Sequence, residues 1–249
     1  MQNLDQHFLI DKELLNDIVR IVYIKPNEII LEIGPGPGNL TELLLKKAKK
    51  VIAIELDRIF ERPLNSLKDK YKNLEIYFGN ALDLINNFKF DKIISNIPYS
   101  ITEPLFKRLF KLDFKKGVFT IGKNFYTKIN DKENKWSFIV NSFYQIKSIK
   151  EISRNLFNPP PRTDSVLITL EPKEPNSFEK IIISLELQDD KKLKNALIKI
   201  FRDEFKLTNN LAKDKIFNLF MQGNILEKNV NYLSNKQFIF IVEKLKSLF

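Results

Sequence analysis

Four features of this sequence have residue types and spacings suited to chemistry. Gly34, Gly36 and Gly38 alternate with prolines in LEIGPGPGNL, directly after a short apolar run and before a helical pattern. Glycines so placed let the backbone approach a ligand closely and adopt positive φ. Glu55 closes the next apolar run, VIAIE, and a carboxylate at such a strand end can accept both ribose hydroxyls of an adenosine while repelling a 2′-phosphate. Asn80 follows a third such run in GNALDL, where its side chain would lie over an adenine edge. The fourth is SNIPYSI, Ser95 to Ile101: an amide, a proline that fixes φ and aims its carbonyl, and an aromatic, all after a fourth apolar run. Taken singly, each has a plain structural explanation: a strand-to-helix turn, an exposed strand-end acid, a Gly-Asn turn, an asparagine-capped proline turn with tyrosine as core. Their convergence on one sheet edge favours a nucleoside site.

The elements that must bring these residues together read as alternating strands and helices. Helical spacing runs over Asp11 to Ile24, Leu40 to Lys47 and Phe60 to Tyr71, and strands over Glu28 to Ile33, Val51 to Glu55, Leu74 to Phe78, Lys92 to Ser95 and Val118 to Ile121. This order predicts an α/β fold with a mostly parallel sheet and helices on both faces. Ser137 to Leu170 reads as a β-rich, more antiparallel stretch, and EPKEPNSF as a proline-bearing linker. Beyond it come helices over Lys191 to Phe205, Leu211 to Met221 and from Ser234, where Ser234 and Gln237 form a capping-box pattern. The expected domains are 1–172 and a small all-helical 173–249.

Composition narrows the chemistry. The 249 residues contain no cysteine, which excludes disulfides and thiolate metal sites and suits a reducing compartment. A single histidine, His7, excludes a multi-histidine metal site and a histidine relay, so metal-free chemistry is expected. No apolar run approaches the roughly 20 residues of a membrane span, and the N-terminal stretch lacks a signal-peptide layout. The chain reads as soluble and cytoplasmic. Its formal charge of +10 suits a polyanionic partner, although a lysine-rich solvated surface would give the same balance.

The G-x-G-x-G turn, tighter than the dinucleotide G-x-G-x-x-G, resembles the first motif of Rossmann-like S-adenosylmethionine methyltransferases. Asn96-Ile97-Pro98-Tyr99 resembles the (N/D/S)-P-P-(Y/F) motif of amino-methyltransferases. Together with QHFLID (Gln6 to Asp11), EIGPGPGNLT and NLFNPPPRTDSVLITL (Asn155 to Leu170), these segments resemble the ribosomal RNA adenine dimethylases, with the erythromycin-resistance methylases as near cousins. The resemblance covers nearly the whole chain. It implies a Rossmann-like S-adenosylmethionine-dependent methyltransferase fold, with S-adenosyl-L-methionine as cofactor held by His7, Leu9, Gly34, Gly36, Glu55, Asn80 and Asn96. It also implies an adenine target, whose amine would be gripped by the Asn96 side-chain oxygen and the Pro98 carbonyl. The base would stack between Tyr99 and Phe157, and Lys191, Lys192, Lys194 and Arg202 would hold RNA phosphates.

Some positions depart from the family pattern. Asn80 stands where an acid is usual, Arg162 where a valine follows the triple proline, and Lys123 and Asn124 lie where a Gln-x-Glu segment is common. The implied activity is dimethylation of two adjacent adenines near the 3′ end of small-subunit rRNA, by a monomer acting on a small-subunit precursor. Two alternatives stand beside it: a large-subunit, resistance-type methylase, compatible with NIPY, and a non-catalytic RNA-binding assembly factor on the same fold. A dehydrogenase is disfavoured, because neither the dinucleotide fingerprint nor a hydride-handling residue is present.

Overall fold

The computed structural model describes residues 6–220 and 224–248. Its contacts divide the chain into two compact units, Met1–Tyr126 with Gln145–Pro172 and Thr127–Tyr144 with Lys173–Phe249. Residues 127–144, inside the expected domain 1–172, therefore pack with the C-terminal helices.

In chain order, the first unit begins with strand β1 (Phe8–Leu9) and helix α1 (Lys12–Val22). Asp11 caps α1 by accepting the Leu14 N–H at 2.7 Å, and Leu14, Leu15, Ile18, Val19 and Val22 turn one buried stripe to the core. There follow β2 (Ile29–Ile33), α2 (Asn39–Leu45), β3 (Lys50–Glu55), α3 (Glu61–Lys70), β4 (Leu74–Phe78), α4 (Ala81–Leu84), β5 (Lys92–Asn96), α5 (Thr102–Leu109) and β6 (Lys116–Gly122). Further on come α6 (Lys123–Asn130), α7 (Lys135–Phe143), β7 (Tyr144–Ile152), β8 (Phe157–Asn158) and β9 (Ser165–Pro172).

Seven strands form one sheet in the order β4-β3-β2-β5-β6-β9-β7. The pairs β4–β3, β3–β2, β2–β5 and β5–β6 are parallel, and β9 runs antiparallel to β6. Nearly every residue of β2, β3 and β5 is buried. Because alternate side chains of a strand point to opposite faces, continuous burial means that both faces of the sheet are covered. This is the α/β architecture that the alternating pattern predicts.

Two consequences place the site. Parallel pairing sets the C-terminal tips of β2, β3, β4, β5 and β6 along one edge, with Gly34, Glu55, Gly79, Asn96 and Gly122 at or just beyond them. Separately, β1 pairs antiparallel with β8, matching Leu9 to Phe157 and Phe8 to Asn158. Segments about 150 residues apart in sequence are so joined.

Among the described residues the second unit includes α7, α8 (Ser177–Glu186), α9 (Leu193–Phe205), α10 (Asn209–Leu219) and α11 (Asn235–Lys246). Its core gathers Ile181, Leu185, Leu197, Phe201, Phe238 and Val242, all buried. The Lys135 N–H donates to Asn235 Oδ1, and Asn235 Nδ2 donates to the Glu133 carbonyl, both at 2.7 Å, which ties the start of α7 to the start of α11. Two expectations are corrected here. Ser137 to Phe143 is helical, capped by Asn134 and burying Trp136, Ile139 and Val140 at helical spacing. The expected linker is shorter than EPKEPNSF: Glu171 and Pro172 end β9, and Asn176 caps α8, where Asn176 and Glu179 complete a capping box. The expected box of Ser234 and Gln237 does open α11. The expected end of the preceding helix at Met221 lies outside the described residues.

Candidate active site

At the sheet's C-terminal edge lies a cavity lined by His7, Gly34, Glu55, Asn80, Asn96, Pro98, Tyr99 and Phe157, with Phe8, Leu56, Ile97 and Ile101 among the remaining walls. Eight of the residues singled out in the sequence thus meet on one surface. A second, adjoining cavity shares Phe8, Gly34 and Asn96 and adds Glu32, Asn39, Ser95 and Thr120. Leu9 lines this second cavity, and Gly36 lines neither.

Gly36 acts one step back from the surface. Its N–H donates to Glu55 Oε2 and the Asp57 N–H to Glu55 Oε1, both at 2.9 Å. These bonds orient a carboxylate that is only 4 % exposed while leaving lone pairs on both oxygens for further donors. Burial pushes the Glu55 carboxyl above its ordinary range, and the Asp57 and Gly36 N–H groups oppose that shift. Asn80 caps α4, its Oδ1 accepting the Leu82 N–H at 3.0 Å. That bond takes one lone pair of the oxygen expected to face an adenine amine and leaves its second lone pair and the NH2 group for other partners.

The amide of Asn96 has its direction set. Its Nδ2 donates to the His7 carbonyl at 2.6 Å, which leaves Oδ1 as the acceptor for another donor. His7 is held in turn by its own Nδ1, bonded to the Pro159 carbonyl at 2.9 Å. Tyr99 is anchored at its hydroxyl, 2.6 Å from Ser165 Oγ and 3.4 Å from the Thr163 carbonyl. One face of the Tyr99 ring rests on Gly122, where a Cβ would come within 3.3 Å of the ring carbons. Phe157 is 3 % exposed and belongs to the apolar core, so it reaches the cavity as a fixed wall.

One expected role changes. The Pro98 carbonyl accepts the Ile101 N–H at 3.0 Å and lies 3.4 Å from Thr102 Oγ1, so the turn after it uses its lone pairs. The Ile97 N–H is spent on the Thr120 carbonyl at 3.1 Å, yet no donor among the described residues reaches the Ile97 carbonyl. Ile97 also lines the cavity. Sequence reasoning missed this carbonyl, and it missed Gly122 and Ser165, whose contacts with Tyr99 span more than 20 residues of sequence.

Among the described residues lining the two cavities there are two glutamates, Glu32 and Glu55, and no lysine or arginine. Glu32 is 2 % exposed and its Oε2 has no hydrogen-bond partner among the described residues. Burial, with the Glu55 charge as a lesser cause, pushes its carboxyl up to about 8. A carboxyl raised in the folded state keeps its proton there after the unfolded chain has lost it. Stability from this group is therefore full below about pH 4.5 and is lost as the pH climbs to about 8, by on the order of 1.4 kcal/mol per pH unit. Glu32→Gln, neutral at every pH, should unfold at a higher temperature than the native chain at pH 8.5. The two proteins should converge near pH 5. Thermal melts that stay parallel across this range would contradict the assignment.

The expected phosphate-binding residues lie in the second unit. Lys194 and Arg202 are exposed on α9, whereas Lys191 and Lys192 precede its first turn. Lys192 is already paired with Glu227 at 2.9 Å. Among the described residues no helix is long and apolar enough to cross a membrane.

Comparison with known proteins agrees with this geometry. The family model described as ribosomal RNA adenine dimethylase matches residues 2–244. The chain belongs to the ribosomal RNA adenine dimethylase family. Its similar relatives include the probable ribosomal RNA small subunit methyltransferase A of Methanosarcina barkeri, 37 % identical over 206 residues, covering 78 % of this chain and 71 % of that protein. The ribosomal RNA small subunit methyltransferase A of Borreliella burgdorferi is 32 % identical over 255 residues, covering 97 % and 87 %. Among solved structures, a dimethyladenosine transferase from Plasmodium falciparum superposes with a TM-score of 0.67 at 28 % identity, covering 97 % of this chain and 98 % of that one. The 23S rRNA methyltransferase ErmE shares the fold, with a TM-score of 0.61 at 19 % identity over 96 % of this chain. Asn80 lies in the cavity wall and Arg162 on the exposed surface.

Proposed function

We propose that this chain is a S-adenosylmethionine-dependent rRNA methyltransferase that dimethylates the exocyclic amines of two adjacent adenines near the 3′ end of small-subunit rRNA. One observation carries the reading: Glu55, Asn80, Asn96 and Tyr99 share a cavity whose walls bear one carboxyl side chain, Glu55, and no lysine or arginine. Such walls suit a cationic nucleoside and disfavour a nucleotide phosphate. The orphaned Glu32 oxygen in the adjoining cavity is a fitting partner for an ammonium group. The cofactor set is then Glu55 for the ribose, Asn80 for the adenine edge, and His7, Gly34 and Asn96 as further walls, with Leu9 lining the adjoining cavity and Gly36 orienting Glu55 from behind.

S-adenosylmethionine, when bound, supplies an electrophilic methyl group. The chain's own residues prepare the nucleophile. An adenine amine is weakly nucleophilic because its lone pair is delocalised into the ring. Asn96 Oδ1 accepts one amine hydrogen and the Ile97 carbonyl, in place of Pro98, accepts the other. Together they turn the lone pair out of the ring plane. Tyr99, held by Ser165 and Gly122, stacks on the base for ~1–3 kcal/mol, with Phe157 as the opposing wall. The amine proton becomes acidic once the methyl is transferred and passes to water, so positioning supplies the rate and no side chain must titrate.

The target amine is hidden in a duplex, so the substrate is a loop whose bases can flip. The reading extends to a monomer working in the cytoplasm on a small-subunit precursor, with Lys194 and Arg202 meeting the phosphate backbone. The test is incubation with labelled S-adenosylmethionine and unmodified small subunits, large subunits and naked rRNA. Label is expected on the small-subunit adenines. Label confined to large subunits would favour the resistance-type activity, and none on any RNA, despite cofactor binding, would favour an assembly factor.

A further inference from the structure

The first unit carries two exposed arginines, Arg154 and Arg162, that the catalytic reading does not use. No described carboxylate pairs with either guanidinium, whereas nearby Lys123 is matched with Glu151 at 2.9 Å. Both arginines stand on segments fastened to the target-base residues. The loop of Arg162 is tied to Tyr99, whose hydroxyl contacts the carbonyl of the next residue, Thr163, and the side chain of Ser165. Asp164 links the two segments, its Oδ1 accepting the Arg154 N–H at 2.9 Å and its carbonyl accepting the Lys123 N–H at 3.0 Å. Arg154 opens a short turn that leads directly into β8, where Phe157 pairs with Leu9.

We propose that Arg154 and Arg162 form a phosphate clamp at the cavity rim, binding the RNA backbone that flanks the flipped adenine. The inference rests on the RNA reading above for the identity of the polyanion. The inner walls carry no lysine or arginine, so charge that attracts RNA must sit outside them, and the backbone segments that bear these two arginines are fastened to the residues a base would touch. A guanidinium grips a phosphate through two parallel N–H bonds, which fixes direction as well as distance. Flipping exposes the phosphates on either side of a base, and holding them keeps the base from restacking.

The test uses the full chain and a small-subunit rRNA stem-loop with two adjacent unpaired adenines, titrated over a range of salt. For Arg154→Gln/Arg162→Gln, the plot of log K against log salt should become shallower by about 1.4, because two single-strand phosphates are no longer neutralised, with binding roughly tenfold weaker at physiological salt. Cofactor affinity and melting temperature should stay as in the native chain. The double lysine variant should restore the slope and only part of the affinity, because an ammonium cannot bind bidentately. An unchanged slope and affinity in the glutamine variant, or no RNA binding by the native chain, would overturn the clamp. A native chain that methylates small subunits while the glutamine slope is unaltered sinks the clamp alone. A slope change without methyl transfer to any RNA sinks the enzyme reading alone.

Discussion

Asn96→Ala is expected to lower methyl transfer about 100- to 1,000-fold, the usual loss when one preorganised polar contact to a reacting centre is removed. Two effects combine in this variant. The acceptor for the amine disappears, and the His7 carbonyl loses the donor it meets at 2.6 Å. Asn96→Asp separates them: it keeps an acceptor, but its ionised carboxylate would set two oxygens against each other where the Nδ2 bond now lies. That variant should also be slow. Single-turnover labelling of unmodified small subunits, beside calorimetric measurement of cofactor affinity, reads both effects. If Asn96→Ala transferred methyl groups at the native rate with saturating cofactor, the amine-gripping role would have to be abandoned.

Much of this site is legible in the sequence because its parts lie at strand tips. Short β-branched runs mark the strands, and parallel pairing brings their ends to one edge, so Gly34, Glu55, Asn80 and Asn96 can be grouped without coordinates. The helix caps at Asp11 and Ser234 are likewise local signals. What failed was also local, but ambiguous. KWSFIV is a short apolar run that suits either a strand or a helix turned to a core, and its asparagine cap decides for the helix. The α8 start is masked by flanking prolines and by a capping box built on asparagine.

Other features depend on pairings that no local pattern encodes. The β1–β8 pairing explains why a histidine near the N-terminus and a phenylalanine near residue 157 share a cavity. The family resemblance grouped them, while spacing alone gave no reason to. The Pro98 carbonyl is another case. Proline sets its own φ, yet whether its carbonyl faces ligand or turn depends on the backbone after it, and here Ile101 closes the turn. Ser165 and Gly122 face each other in the β6–β9 register, and that antiparallel pair fixes Tyr99 from outside its own motif.

Gly36→Ala should weaken cofactor binding by at least about 100-fold and lower the melting temperature by several degrees, more than Gly34→Ala does in the ligand-free protein. Both glycines have positive φ, +55° for Gly36 and +70° for Gly34, so each alanine costs about 1–2 kcal/mol of backbone strain. Their surroundings differ. A Cβ on Gly34 would meet nothing within 4 Å, whereas on Gly36 it would sit 2.6 and 2.7 Å from two ring carbons of Phe8. Phe8 cannot swing aside freely, because its ring already packs edge-on to Phe60 at 5.1 Å and its backbone is paired in β1. The displacement would therefore pass along β1 to His7, whose carbonyl orients Asn96, and it would also disturb the Gly36 N–H that holds Glu55. One methyl group thus strikes the ribose acceptor and the amine acceptor together. Gly34→Ala, by contrast, should lose cofactor affinity mainly by intruding on the cavity it lines. Melting curves and cofactor titrations of both variants make the comparison. Equal loss of ligand-free stability in the two would refute the proposed route through Phe8.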